Sequence, residues 1–125
     1  MSAYLIAENE VAECLKRKGW KVVARNFRRR GTEIDIIAIR GTTLVFVEVK
    51  WRKSKQKELS CALCDYLPLR KRRALLKGAA IFCREQENSV DWDTTRLDLA
   101  VVSPGYSDFT FSRKEGLSVQ YFRNV

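Results

Sequence analysis

Apolar and polar positions change period several times along the chain, and each change predicts an element. Turning successive residues by about 100° gathers Tyr4, Val11, Ala12 and Leu15 into one stripe, with Ala7 and Cys14 at one margin and Leu5 at the other. That pattern predicts an amphipathic helix over 2–18, with Ser2 as its N-cap, Asn9, Glu10, Glu13, Lys16 and Arg17 on the polar side, and Gly19 ending it. Trp20 to Phe27 predicts a first strand, followed by a basic loop from Arg28 to Gly31. Residues 33–39 and 43–51 are rich in Ile and Val and apolar on both faces, as central strands covered by helices on each side must be. Between them Arg40-Gly41-Thr42-Thr43 reads as a tight turn, with Gly41 at the first central position of a type II′ hairpin. Pro68 suits the first position of a helix reaching about Gln86, whose apolar side is expected to hold Leu69, Leu75, Leu76, Ala79, Ile81 and Phe82. Asn88 to Thr95 is a polar connection, Leu97 to Val102 a further strand, Pro104-Gly105 a turn, and Leu117 to Phe122 a weaker terminal strand. The expected class is α/β, with a mixed central sheet flanked by helices. It forms one domain over 1–125, with its core over about 2–103 and a C-terminal extension over 104–125.

Two features of this pattern carry chemistry. Glu8 falls inside the apolar stripe of the first helix, and an acid facing a core must be neutral, paired or metal-bound. A salt bridge to a neighbouring Arg is the simplest explanation for that residue alone. The hairpin supplies the second feature. If Gly41 and Thr42 form the turn, Ile39 faces Leu44 and Ile37 faces Phe46, but Asp35 then faces Glu48 and Glu33 faces Lys50. Two carboxylates across a ladder repel each other, unless a divalent cation between them reverses the sign of the interaction. Asp35 is flanked by Ile34, Ile36 and Ile37, and Glu48 by Val47 and Val49, a context that argues for burial rather than a solvated strand end. In Glu48-Val49-Lys50 the strand period puts both charged side chains on one face, with the Val49 carbonyl between them. Asp35, Glu48 and that carbonyl are the expected ligands of Mg²⁺ or Mn²⁺. Such an ion lowers the pKa of a water nucleophile that Lys50 would orient or help deprotonate.

Charge adds a partner to this picture. The 24 Lys and Arg against 15 Asp and Glu leave a net charge of +9. The positive residues cluster at Arg28-Arg29-Arg30, at Lys50, Arg52, Lys53, Lys55 and Lys57, and at Arg70-Lys71-Arg72-Arg73. Clusters of this kind suit a polyphosphate, although an acidic protein partner would explain the charge alone equally well. Lys53 to Lys57 reads as a basic loop. No apolar run reaches the roughly 18 residues a membrane span needs, and the early Glu8 does not fit a signal peptide, so the expected address is cytoplasmic. Cys14, Cys61, Cys64 and Cys83 are scattered and the chain has no His, so reduced thiols are expected rather than a disulfide framework or a zinc site built on Cys61 and Cys64.

The spacing D-x12-E-x-K on two joined strands, preceded by a helix bearing an acid, carries a family resemblance. Glu8 to Gly19, Ala24 to Arg28, Gly31 to Ala38, Leu44 to Lys50 and Pro68 to Arg73 resemble the YraN-like family of predicted bacterial endonucleases, over roughly residues 4 to 103. The resemblance implies a three-layer, restriction-endonuclease-like fold of the PD-(D/E)-x-K superfamily, similar to archaeal Holliday-junction resolvases. It also implies a catalytic set of Asp35, Glu48 and Lys50, with Glu8 matching the helical acid that completes the metal site in resolvases. Ile34 stands where the superfamily has Pro, as is usual in this family. Thr32 replaces a usual Gly, residues 57–64 depart from the family's Gly- and Pro-containing segment, and a frequent C-terminal His is absent. These departures bear on substrate contacts more than on the metal ligands.

The leading expectation is therefore a Mg²⁺- or Mn²⁺-dependent endonuclease acting on branched or structured DNA. Its metal ligands would be Asp35, Glu48, Glu8 and Val49, and its nucleic-acid contacts Arg28, Arg30, Arg52, Lys53, Lys55, Arg70, Lys71, Arg72 and Arg73. A non-catalytic nucleic-acid-binding protein of the same fold is the alternative, and an adaptor for an acidic protein a third. A binding module gains nothing from acids beside a phosphate backbone, which favours the first. DNA is the expected partner, a homodimer is left open, and no membrane is involved.

Overall fold

Ser2 closes the first helix at its start: its Oγ accepts from the Leu5 N–H at 3.2 Å, and the helix α1 runs Ala3–Arg17. Gly19, at φ +90°, turns the chain out of it into strand β1, Lys21–Arg29. A computed structural model of the chain describes residues 2–52, 67–105, 113–114 and 116–125. Its remaining elements are β2 (Thr32–Arg40), β3 (Thr43–Trp51), α2 (Leu69–Gln86), β4 (Thr94–Pro104), β5 (Arg113–Lys114) and β6 (Leu117–Phe122). The predicted basic loop at Arg28 to Gly31 is shorter than expected, because β1 continues through Arg29 and only Arg30 and Gly31 turn. The expected basic loop at Lys53 to Lys57 and the Cys61/Cys64 pair lie outside the described residues. Cys14 is buried and Cys83 half-buried.

The strands form one mixed sheet in the order β1-β2-β3-β4-β6-β5. The hairpin keeps the predicted register, with Ile39 opposite Leu44 and Ile37 opposite Phe46. Gly41 has φ +59° and Thr42 is not in the positive-φ region, as a type II′ turn requires. The chain then crosses by way of α2 and returns as β4, parallel to β3, a pairing that no short turn can make. Strand β6 pairs antiparallel with β4 and buries Leu117 and Val119 beside α1's core, so the C-terminal strand is an integral layer of the sheet.

The sheet is covered on both faces, giving three layers. Ala7, Val11, Ala12 and Leu15 of α1 pack on Ile36, Ala38, Val45, Val47 and Val49; Leu75 and Phe82 of α2 pack on Phe27, Ile34, Ile37 and Phe46. This is the three-layer, restriction-endonuclease-like architecture that the family resemblance implied. Three expected positions differ. Glu10 is buried rather than solvated, since it lies at the margin of the stripe, where the Arg17 guanidinium reaches it at 3.3 Å. Leu69 and Leu76 are exposed, because each sits about 100° or more around the helix from the Leu75–Gly78–Phe82 line that meets the sheet. Gly78 belongs to that line because a Cβ there would come within 3.1 Å of Ile34 and Thr32.

One irregularity positions the site. Regular alternation would put Ile34 and Ile36 on one face, yet Ile34 and Ile37 both pack toward α2 while Ile36 packs toward α1. In β1 the paired residues behave alike: Phe27, opposite Ile34, faces α2, whereas Arg25, opposite Ile36, ion-pairs with Glu8 of α1. The residues between them are Asn26, at φ +52°, and Asp35. Both strands change face together at these two positions, and Asp35 is freed from the ladder.

Candidate active site

The regular β2–β3 ladder runs from Arg40 and Thr43 to Ile36 and Val47, and stops one pair short of Asp35 and Glu48. The carboxylate of Asp35 takes over at that point. Its Oδ2 accepts the Val49 N–H at 2.7 Å, a bond that a backbone carbonyl would make in an unbroken ladder. The same oxygen accepts from the Tyr4 hydroxyl of α1 at 2.9 Å, and that hydroxyl also lies 3.0 Å from the Val49 carbonyl oxygen. Burial pushes the Tyr4 phenol above its ordinary range, and the charges of Asp35, Glu48 and Glu8 add to the shift.

Glu48 meets Asp35 where the ladder stops. Both carboxyl groups are buried, and they lie within hydrogen-bonding reach of each other. Burial raises the Glu48 pKa to about 8, with the hydrogen bond and charge of Asp35 adding to it and Lys50 and Lys71 opposing it. Near neutral pH Glu48 therefore keeps its proton. Lys50 Nζ stands 4.0 Å from Glu48 Oε1, on the face the E-x-K spacing predicted, and Lys71 Nζ of α2 stands 3.5 Å from Oε2. The Oε2 atom is buried and makes no hydrogen bond, so Lys71 acts on it through space rather than by a bond.

Glu8 is buried on the α1 side, one helical turn after Tyr4, and its main partner is the Arg25 guanidinium at 3.5 Å. With its amide nitrogen turned toward the acids, Asn26 donates to Glu8 Oε1 at 3.2 Å and to Glu33 Oε1 at 3.3 Å. Burial and then the Asp35 charge raise the Glu8 pKa, against the Arg25 pairing. The salt bridge foreseen as the simplest explanation thus accounts for Glu8. Among the described residues no three Asp, Glu, Cys or His side chains are grouped as ion ligands. What converges is two carboxylates, Asp35 and Glu48, with the Val49 carbonyl beside them and one carboxylate oxygen lacking a hydrogen bond. That donor set fits Mg²⁺, which is ordinarily held by one or two carboxylates and keeps several waters.

The cationic residues divide by position. Arg70, Arg72 and Arg73 are exposed on the first turns of α2, whose first turn also holds the Lys71 that reaches Glu48. Arg28 pairs with Glu33 at 3.2 Å, and Lys77 Nζ reaches the Arg30 carbonyl at 3.5 Å, so the basic turn lies alongside α2. Arg52 is half-buried just past β3, and Lys53 and Lys55 lie outside the described residues.

Three features escaped the sequence pattern. Tyr4 looked like one more member of an apolar stripe, although a hydroxyl four residues before a buried acid is a signal that it could face the same site. Lys71 was grouped with the phosphate contacts, but its place in the helix turns it toward Glu48. Asp98, fully buried in β4, holds Arg96 at 2.9 Å, the Tyr121 hydroxyl at 2.6 Å and the Asn124 N–H at 2.8 Å, a network that ties down the C-terminal strand. Only its charge amid Leu97 and Leu99 marked it in the sequence.

A three-layer α/β chain with a mixed sheet, and with an aspartate and an E-x-K segment meeting on adjacent strands, has the framework of the restriction-endonuclease-like class. The chain belongs to the uncharacterised protein family UPF0102, the YraN-like group, whose profile matches residues 7–102. A UPF0102 protein of Methylococcus capsulatus is 38% identical over 99 residues, covering 79% of this chain and 76% of that one. One from Erythrobacter litoralis is 35% identical over 98 residues, 78% of each. One from Nitratidesulfovibrio vulgaris is 37% identical over 97 residues, 77% of this chain and 68% of its own.

Proposed function

We propose that the chain is a metal-dependent nucleic-acid phosphodiesterase, an endonuclease acting on branched or structured DNA. The observation that carries this reading is the meeting of the buried Asp35 and Glu48 beside the Val49 carbonyl and Lys50, where the β2–β3 ladder stops. A purely structural pair would be better served by one acid and one base, since two buried carboxylates weaken the fold they sit in. Asp35, Glu48 and the Val49 carbonyl oxygen would hold Mg²⁺ or Mn²⁺, which would supply charge stabilisation and nucleophile activation for phosphodiester hydrolysis. Lys50 keeps an ammonium beside Glu48, placed to orient the nucleophile and to offset negative charge that builds up on the phosphate. Lys71 does the same from the α2 side. Glu8 holds Arg25 and Asn26 in place and adds negative potential at Asp35. Arg70, Arg72 and Arg73, with the Arg28–Arg30 turn, Arg52, Lys53 and Lys55, would bind flanking phosphates.

Among the described residues no helix is long and apolar enough to cross a membrane, and residence in the cytoplasm with the DNA is part of the same reading. The test is incubation of the protein with labelled four-way junctions, flaps, single strands and RNA in Mg²⁺, Mn²⁺ and EDTA. Cleavage of a structured DNA that requires a divalent ion and is lost in Asp35→Asn is expected. Binding without cleavage in any metal would leave a non-catalytic nucleic-acid-binding protein.

A further inference from the structure

The Tyr4 hydroxyl sits between the Asp35 carboxylate and the Val49 carbonyl. Its oxygen is 2.9 Å from Asp35 Oδ2 and 3.0 Å from the Val49 carbonyl oxygen. A phenol has one proton, so it can donate to only one of these acceptors at a time, and it sits astride two oxygens that otherwise lack a shared partner. A cation held by both oxygens would compete with that hydroxyl for them. We propose that Tyr4 is a latch on the cation position: its hydroxyl holds Asp35 and Val49 in place without metal, and a divalent cation must displace it. The inference rests on the metal-dependent reading of this site.

The latch is placed to open at little cost. Tyr4 lies in the first turn of α1 and is 40% exposed, as is Leu5, and the first fully buried side chain of the helix is Ala7. Swinging the ring outward breaks the hydroxyl's contacts while leaving the packed stripe of Ala7, Val11 and Leu15 where it is. The latch's effect is to set the affinity of the site: every binding event must first break a hydrogen bond to a carboxylate.

The test is calorimetric titration of Mn²⁺ and Mg²⁺ into the full chain, as wild type, Tyr4→Phe and Tyr4→Leu. Both variants remove the hydroxyl, and the second guards against an effect of the ring itself. The latch predicts a Kd lower by roughly tenfold in both variants, the worth of one hydrogen bond to a charged acceptor. Equal affinity in wild type and variants overturns the latch and leaves the cation reading standing. Weaker binding in the variants also overturns it, since Tyr4 would then be supporting the ion. If wild type and both variants all fail to bind either ion, the cation reading falls and the latch with it.

Discussion

Replacing Asp35 with Asn separates a metal ligand from a structural residue. Asp35 Oδ2 accepts the buried Val49 N–H at 2.7 Å, and Asn retains one oxygen able to do so. Its amide nitrogen can donate to Glu48, which ionises more readily without the Asp35 charge beside it, so the two side chains keep a hydrogen bond. In EDTA the variant should be within about 1 kcal/mol of wild type, or slightly more stable. Asp35→Ala should behave differently, because it strands the Val49 N–H and costs about 1–3 kcal/mol. Mn²⁺ at about 100 times Kd should stabilise the wild type by roughly 2.7 kcal/mol, which for a domain of this size raises Tm by roughly 10 °C, and should do nothing for Asp35→Asn. Thermal melts of the three proteins in EDTA and in Mn²⁺ measure all of these terms. A salt-bridged structural acid predicts the opposite: Asp35→Asn would fall by about 3–5 kcal/mol in EDTA. That fall, with no Mn²⁺ shift in either protein, would show Asp35 to be structural and remove the main support for the nuclease reading.

The elements were legible wherever a local rule fixes them. Helix α1 follows from its cap and stripe, α2 from Pro68, and the hairpin register from Gly41, which alone decided that Asp35 and Glu48 would meet. What was not legible depends on contacts distant in sequence. The face change at Asp35 is one such case: alternation through Ile34-Asp35-Ile36-Ile37 reads smoothly because every neighbour is apolar, and the break shows only when Asn26 on the adjoining strand takes φ +52°. Asn tolerates that region better than most residues, which was the one available hint. The parallel β3–β4 pairing and the return of β6 to β4 join segments many residues apart, and hydrophobic period carries no information on which strand neighbours which. Lys71 illustrates the same limit within the site. Composition placed it among four cations, and only the docking angle of α2 decides that it faces Glu48 while Arg70 and Arg73 face solvent.

Three other outcomes are expected. DNA binding should weaken steeply with salt, and replacing the exposed Arg70 and Arg73 with Ala should lower the slope of log K against log salt by about 2; an unchanged slope would exclude these residues as phosphate contacts. Gly78→Ala should lower Tm despite better helix propensity, because the added methyl meets Ile34 and Thr32 at 3.1 Å and Thr32 is held by its bond to the Ala74 carbonyl; a rise in Tm would refute that close approach. The last concerns pH. Glu48 has its pKa raised from 4.5 to about 8 in the folded protein, so below 4.5 it is protonated in both folded and unfolded chains and takes nothing from stability. As pH rises through the window from 4.5 to about 8, the unfolded chain releases this proton and the folded chain keeps it. Metal-free stability should therefore fall, by at most about 1.4 kcal/mol per pH unit from this group, and level off above it. Glu8, also raised, acts with the same sign. A cation must expel the proton Glu48 holds, so apparent Mn²⁺ affinity should climb by up to about tenfold per unit across the same window and then flatten. Glu48→Gln has no proton to lose and should remove most of the stability slope in EDTA. A slope equal to wild type in that variant would mean the proton does not reside on Glu48.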